Sequence, residues 1–331
     1  MKFGPILLQD ALGATLAHRA DLRGGPLRKG HVLGATDLAR MAAEGWQDVI
    51  VARLEAGDVP EDAAASALAS ALVPDPAGQG LRLTPATTGR VNIYATGPGV
   101  FVAGTAAITA LNAVDPMITL ATLRPFQRVE AGMMVATAKI IAYAVPDAAL
   151  ALACHTAVGA LRVAAPVIAS ASLIETALPG ETPATKGREA MAVRLRRLGV
   201  TLGPRRIVPH HTAALADALA AASAEAVFIL TASATSDEND VGPAALLRAG
   251  GTLTRFGMPV DPGNLLFIGQ LGETPVIGLP GCARSPALNG ADWVLERVIC
   301  GVPVTAGDIA AMGVGGLLKE SPARGRLREA E

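Results

Sequence analysis

Downstream of Pro146, short apolar runs bounded by turn residues alternate with longer runs of helical spacing, and this rhythm constrains the fold more than any other feature of the chain. Strand-like runs fall at residues 163–169, 226–231, 265–268 and 276–279, and helix-like runs at 186–198, 212–222, 242–249 and 286–299. In the run 186–198, Met191, Leu195 and Leu198 recur at three- and four-residue spacing and share one face. Arg194, Arg196 and Arg197 read as a solvated face, and Gly199 stops the helix. Short strands alternating with helices build a mainly parallel sheet with helices on its faces, so the expected fold class is α/β, a three-layer αβα domain preceded by a mixed α+β region.

The 331 residues suffice for roughly two domains, each with its own core. We expect an N-terminal mixed α+β region over 1–150, the α/β domain over 151–312 and a flexible tail over 313–331 that is rich in Gly, Arg and Glu. In the N-terminal region, helices are expected at 8–17, 36–44 and 59–72 and strands at 31–33 and 49–52, with Thr36 capping the second helix and Gly45 ending it. Pro and Gly punctuate 73–88, which reads as a linker or long loop and a sub-boundary. Residues 91–94 and 100–103 are expected to pair around Gly97-Pro98-Gly99. A helix should follow over 106–114 and one long strand over 133–145.

Several classes are excluded at this stage. Hydrophobic residues make up 51% but aromatics only 3%, so the cores should be aliphatic. A formal charge of −1 leaves no basic footprint for nucleic acid or an anionic membrane. Cys154, Cys282 and Cys300 are odd in number, widely spaced and without a C-x-x-C pair, which argues against a disulfide framework or a structural zinc and for a reducing compartment. The apolar stretch before Asp10 is short for a signal peptide. The uncharged span 91–114 is broken by Gly97-Pro98-Gly99 and is a poor transmembrane helix. The expected location is the cytoplasm.

Three loops lie beside the later strand-like runs: 231–240 (TASATSDEND), 257–264 (GMPVDPGN) and 278–285 (GLPGCARS). In a parallel sheet such loops stand at the carboxyl ends of strands, where ligands bind. Amides freed by Gly and Pro, with the hydroxyls of Ser233, Ser236 and Ser285, suit an anion such as a phosphate. Asp240 offers a carboxylate for a metal such as Mg²⁺, or a catalytic group. Asp237 and Glu238 could supply the same carboxylate; the alternative is that Asp237 caps the helix after it while Glu238 and Asp240 are solvated. Arg284 can grip a phosphate with two parallel hydrogen bonds. Cys282 precedes an expected helix near Pro286, where amide dipoles favour a thiolate, although a small residue in a tight loop is the commoner role. His210 and His211 point two ways, so one of them caps a helix or touches a ligand; Asn289 caps or packs.

The order of these loops resembles the domain shared by molybdopterin molybdotransferases and molybdopterin adenylyltransferases of molybdenum-cofactor biosynthesis, over roughly 162–301. That family's first loop runs Gly-Gly-x-Ser-x-Gly-x-x-Asp: Ser236 falls on its Ser and Asp240 near its Asp, while Ser233-Ala234 replaces the Gly pair and Glu238 the later Gly. Its second loop, Lys-Pro-Gly-Lys-Pro, stands against Asp261-Pro262-Gly263-Asn264-Leu265, so both lysines are gone. Its third loop, Gly-Leu-Pro-Gly-Asn-Pro-x-Ser, is matched at Gly278, Leu279, Pro280, Gly281 and Ser285. Residues 27–33 (LRKGHVL) are similar to the opening of the molybdotransferase N-terminal region.

The resemblance implies a ligand site formed by Thr231, Ser233, Ser236, Asp237, Pro262, Gly263, Asn264, Pro280, Gly281, Cys282, Arg284 and Ser285, with Asp240 as catalytic group or Mg²⁺ ligand. It implies molybdopterin or the molybdenum cofactor as ligand, a molybdoenzyme or biosynthetic partner, and a homo-oligomer. Losing two lysines weakens anion capture, which favours a binding or delivery protein over a molybdate-inserting enzyme. A Mg²⁺-dependent adenylyl-transfer or molybdotransferase enzyme is the alternative within the family. A structural protein-interaction module on the same fold is the alternative outside it.

Overall fold

The computed structural model describes residues 1–320 and divides the chain into two units. The first comprises residues 1–96, 102–125 and 131–162; the second comprises 97–101, 126–130 and 163 onward. Both mix α and β structure. No helix among the described residues is long and apolar enough to cross a membrane.

In the first unit, strands Lys2–Leu7, Asp48–Arg53 and Thr15–Leu16 form a small antiparallel sheet, with Asp48–Arg53 in the middle. Leu16, Leu33, Met41, Val49 and Val51 fill its core. The expected helix over 8–17 is a single 3-10 turn, Leu8–Asp10, followed by strand Thr15–Leu16. Gly13 turns the chain at φ +76°, and pairing across to His31 and Leu33 then satisfies the backbone of 13–16, which a helix would have taken. The helix Ala35–Ala43 is capped by Gly34, whose N–H donates to Asp37, so Thr36 is not its cap. Gly45 closes it at φ +86°.

A four-stranded sheet follows, in the order Leu81–Leu83, Arg90–Ala95, Met134–Ile140, Ile118–Thr122. The Pro- and Gly-rich stretch 73–88 thus supplies an edge strand. Gln79 ties it down by donating to the Leu72 and Leu161 carbonyls. The hairpin expected around Gly97-Pro98-Gly99 does not form: Arg90–Ala95 pairs with Met134–Ile140, while Gly99 and Val100 pair with Val129 and Arg128. The Gly-Pro-Gly segment is where the chain leaves one unit for the other. The expected strand over 133–145 is two, Met134–Ile140 and Ala144–Pro146.

The second unit carries the larger sheet. Its elements are β1 (Ser170–Ala177), α1 (Lys186–Arg196), β2 (Thr201–Leu202), β3 (Arg206–Pro209), α2 (Thr212–Ala220), β4 (Ala226–Leu230), α3 (Val241–Arg248), β5 (Thr252–Phe256), β6 (Phe267–Leu271), β7 (Thr274–Gly278), α4 (Gly290–Ile299) and α5 (Ala306–Ala311). The strand order is β2-β1-β4-β7-β6-β5, with β3 also pairing to β1. Strands β2, β3 and β4 run parallel to β1, and β7 runs parallel to β4; β6 and β5 are antiparallel additions. The first strand is 170–177 and not 163–169. Its Ser/Thr-rich sequence, SASLIETA, hides a strand whose residues 173–176 are all buried. β5, whose sequence TLTRF has only Leu253 and Phe256 as apolar residues, is not among the expected strands.

Alternation along β4 sends its side chains to different helices. Val227 and Ile229 join Ile174, Leu215, Leu219, Ala245 and Leu246 in one core with α2 and α3. Leu230, on the other alternation, packs against Gly187 of α1, with 3.3 Å from a Cβ at that glycine to its Cδ1. This division follows from the order of the strands. The chain goes from β1 outward to β2 and β3, then back past β1 to β4, and a crossover of fixed hand changes face when it changes direction.

Arg194 departs most from expectation. It is 6% exposed and joined to Asp292 at 2.5 Å, and it donates to the carbonyls of Ala283, Ser285 and Ala287. The sequence places it beside Arg196 and Arg197 on a charged stripe, but the expected solvated face loses this member to the core. Similarly, α4 begins at Gly290 and not near Pro286. Asn289 caps it through Ala291 N–H at 3.0 Å, and Asp292 returns the bond to the Asn289 N–H at 2.8 Å, a reciprocal cap that fixes the start. The expected tail begins in described structure, with Leu318 2% exposed and Lys319 paired to Asp261 at 2.9 Å, and its residues 321–331 lie outside the described residues.

Candidate functional site

The reversal of direction between β1 and β4 fixes where a cleft can form. At their carboxyl ends the chain departs to opposite sides, toward α1 from β1 and toward α3 from β4, so no connection bridges the gap between them. A pocket of about 280 Å³ lies there. Thr176 and Ala177 end β1 beneath it, the segment 181–187 forms one wall, and Ala232 and Arg284 close the other side.

Hydrogen bonds hold this floor in place. The Ala232 N–H donates to Thr176 Oγ1 at 2.7 Å, and the same hydroxyl is hydrogen-bonded to His210 Nδ1 at 2.9 Å. Glu175, 2% exposed, binds Arg205 through both oxygens at 2.7 and 3.2 Å, and Arg205 also donates to the Pro183 carbonyl at 2.5 Å. This double bond to Glu175 holds the Arg205 guanidinium above its ordinary pKa and ties the 181–187 wall to β1. Arg284 Nη2 donates to the Thr231 carbonyl at 2.6 Å, joining the loop after β7 to the loop after β4.

The pocket is suited to an anion. Lys186 and Arg284 both line it, and no side chain caps the first turn of α1, so its leading amides are available to a ligand. Gly187 packs closely here: a Cβ there would sit 3.1 Å from Arg284 Cγ, so the Arg284 side chain would have to give by a few tenths of an ångström. Glu181 is the one carboxylate among the lining residues, and Thr176 and Thr182 supply hydroxyls.

Of the site residues read from the sequence, Arg284 lines the pocket, and Thr231 meets Arg284 through its carbonyl. Thr231 Oγ1 also lies 3.3 Å from Thr235 Oγ1. The others lie along the loops. Asp240 caps α3, with its oxygens accepting from Val241 N–H at 2.7 Å and Ser236 N–H at 3.0 Å; Asp237 accepts from the Asn239 backbone and side chain, both at 2.8 Å. Those two bonds lower the Asp237 pKa. Ser233 and Ser236 are exposed. Pro280, Gly281 and Cys282 lead into the 3-10 turn Gly281–Arg284, which separates Cys282 from the start of α4 by seven residues and removes the dipole argument for its thiol. Ser285 Oγ accepts from Ala287 N–H at 3.3 Å.

The second loop turns away from this pocket and toward α4. Gly290 N–H donates to the Pro262 carbonyl at 2.8 Å, a Cβ on Gly263 would meet Gly290 at 2.9 Å, and Asn264 Nδ2 reaches the Met258 carbonyl at 3.5 Å. The structure therefore joins the first loop to the third through Arg284, and the second to the far end of the third. His211 caps α2 by accepting from Ala213 N–H at 3.3 Å. Sequence reasoning missed Thr176, Thr182 and Lys186. The usable signal was the helix start at Lys186, which requires a strand shortly before it and hence a carboxyl end near 177.

A family described as a domain of unknown function, DUF8806, matches residues 5–53. No curated protein matches the sequence. Among solved structures, the chain is similar to the molybdopterin biosynthesis MoeA protein from Pyrococcus horikoshii, with 13% identity and a TM-score of 0.32 over 94% of this chain and 77% of that one. A second structure, of the MoeA protein from Pyrococcus horikoshii OT3, matches at 8% identity and a TM-score of 0.26, over 91% of this chain and 74% of that one. Both superpositions are too loose to define a shared fold.

Proposed function

We propose that the crevice between β1 and β4 binds a phosphate-bearing pterin, molybdopterin or the molybdenum cofactor, and that the chain carries or delivers it in cofactor biosynthesis without inserting molybdate. The observation that carries this reading is the convergence of Lys186, Arg284 and the uncapped first turn of an 11-residue helix on one pocket at the switch point of the sheet. In the proposal, residues 151–312 are a three-layer pterin-binding domain, Lys186 and Arg284 hold the terminal phosphate, and Thr182 orients it. Ser233, Ser236, Gly281 and Ser285 form the outer rim along which a pterin would extend. A homo-oligomer in the cytoplasm would pass the ligand to a molybdoenzyme.

The choice of a pterin over other phosphates rests on the resemblance of the third loop, Gly278-Leu-Pro-Gly281 with Ser285. The choice of a binder over an insertase rests on the resemblance at the second loop, which itself lies away from the crevice. Asp261 and Asn264 stand where that family has lysines, and Asp261 instead pairs with Lys319. The donor set does not fit a bound Mg²⁺: both Asp240 oxygens accept backbone N–H groups, and no group of three or more His, Cys, Asp or Glu that could hold a metal occurs among the described residues. No catalytic step through a metal is derived.

The test is direct. The full chain, purified from cells that make the cofactor, should carry a pterin whose fluorescence appears after oxidation, and Lys186→Ala with Arg284→Ala should lower its content at least tenfold. Wild-type protein that carries no pterin, and that binds neither molybdopterin nor its adenylylated form when they are added, would sink the proposal.

A further inference from the structure

A second cavity, of about 320 Å³, lies on the other side of α1, lined by Arg188, Ala192, Arg196, Val200, Thr201 and Leu202. Arg188, Ala192 and Arg196 are spaced four residues apart and form one ridge along the helix, so the two guanidinium groups flank a small side chain that leaves room between them. Val200, Thr201 and Leu202 form the opposite wall, where the chain turns from Gly199 into β2, an outer strand that pairs with β1.

The charge of this cavity is uncompensated. Neither Arg188 nor Arg196 has an ion pair with a carboxylate among the described residues, and none of the lining residues is acidic. Arg188 donates from Nη2 to the Gly203 carbonyl at 2.5 Å, while its buried Nη1 has no hydrogen-bond acceptor among the described residues. A buried charged donor without an acceptor is rare in folded proteins, and an anion in the cavity would supply one. Two like charges facing one cavity add a repulsion that a dianion reverses.

We infer that this cavity is a second ligand site, distinct from the crevice between β1 and β4, and that its ligand is a phosphate monoester. Two guanidinium charges at one cavity favour a dianion over the single charge of a carboxylate. A phosphate monoester presents three terminal oxygens and about −1.5 to −2 charge at neutral pH. The remaining walls, Ala192, Val200 and Leu202, are apolar and suit the organic body of such an ester. Thr201 supplies one hydroxyl at their edge. Nothing in this assignment depends on what the first crevice binds.

Phenyl phosphate is the probe, titrated into the full chain while the arginine Nε–Hε NMR signals are followed. Saturable shifts of the Arg188 and Arg196 signals are expected, with inorganic phosphate binding several-fold more weakly and phenol producing no shift. Arg196 is exposed, so Arg196→Gln keeps the fold and should weaken the phenyl phosphate response about tenfold. Lys186→Ala, in the other pocket, should leave that response unchanged. Shifts that grow linearly and are reproduced by chloride, an Arg196→Gln protein that titrates as wild type, or inorganic phosphate that binds as well as the ester would each overturn the assignment. The comparison of phenyl phosphate with phenol on wild-type protein tests the role of charge without any substitution.

Discussion

The loops after β4 and after β7 face each other across Arg284, yet they are built on different principles. The loop after β7 is held from within the core: Arg194 reaches three of its carbonyls, Asp292 both pairs with Arg194 and caps α4, and Ala283 is fully buried. The loop after β4 is held mostly by its own residues, through the Asp240 and Asp237 caps, and residues 236–239 are exposed. Its two ties to the rest of the site are Ala232 N–H on Thr176 and Arg284 on the Thr231 carbonyl. One wall of the site is therefore fixed by long-range buried polar bonds, and the other can adjust locally without disturbing the fold.

Substituting Arg194 is the strongest way to break this contrast. Arg194→Leu removes one partner of a pair whose side chains are 5% and 9% exposed, leaving the Asp292 carboxylate buried and three carbonyls without their donor. Breaking such a pair on one side costs about 3–5 kcal/mol. Urea unfolding of Arg194→Leu should show a loss of that size, and a loss below about 1 kcal/mol would mean the loop after β7 is not anchored through it.

The same contrast explains what the sequence could reveal. Rhythm located β4, β7 and helices α1 to α3 within a few residues, because apolar spacing reports directly on burial. The strand β1 escaped because its buried face includes Glu175 and Thr176, polar groups whose burial depends on Arg205, His210 and Ala232, partners distant in the chain. Arg194 escaped for the same reason: the carboxylate that draws it inward is 98 residues away. The caps at Asp240 and Asn289 are local, with partners within four residues, and such positions can be read from residue type. The pocket was legible only as a class of place, the carboxyl ends of strands. Its lining residues around 181–187 follow the strand that the pattern did not show.

Acidity separates the two regions next. Glu296, one turn along α4 from Asp292, has its pKa pushed up to about 8 by burial and then by the Asp292 charge, against the opposing pull of Arg128 at 3.1 Å. The folded protein keeps a proton there that the unfolded chain releases above the ordinary carboxylate value of 4.5, so stability falls as pH rises from that value to about 8 and is level beyond it. Glu296→Gln should flatten this slope and raise stability above pH 8 by on the order of a few kcal/mol. In the loop after β4, Asp237 has a lowered pKa, so its contribution is present above the ordinary carboxylate range and is lost only on acidification. The pH dependence of the unfolding midpoint between pH 5 and 9 should therefore change with Glu296→Gln, whereas Asp237→Asn should shift the curve evenly without changing its slope; the reverse would contradict the contrast.

Thr176→Val addresses the seam between the walls. Valine keeps the β-branched shape but removes the acceptor of the Ala232 N–H and the hydrogen-bond partner of His210, leaving a partly buried amide unsatisfied at a cost of about 1–3 kcal/mol. Amide hydrogen exchange should quicken at Ala232 and stay unchanged at Ala283. Equal acceleration at both would show that the walls move as one body.

Asp240→Ala is the mildest break and the sharpest comparison with Arg194. The carboxylate bonds two backbone N–H groups, at Val241 and Ser236, so its loss removes an N-cap and a loop closure, for which about 1 kcal/mol is expected. Asp240→Asn, which keeps a capping oxygen, should recover most of it. If Asp240 served a bound Mg²⁺ instead, adding Mg²⁺ to the wild-type protein would raise its unfolding midpoint and leave Asp240→Ala unaffected. With the carboxylate committed to backbone amides, Mg²⁺ should shift neither protein, and the substitution should loosen 236–240 while the loop after β7 keeps its protection against exchange.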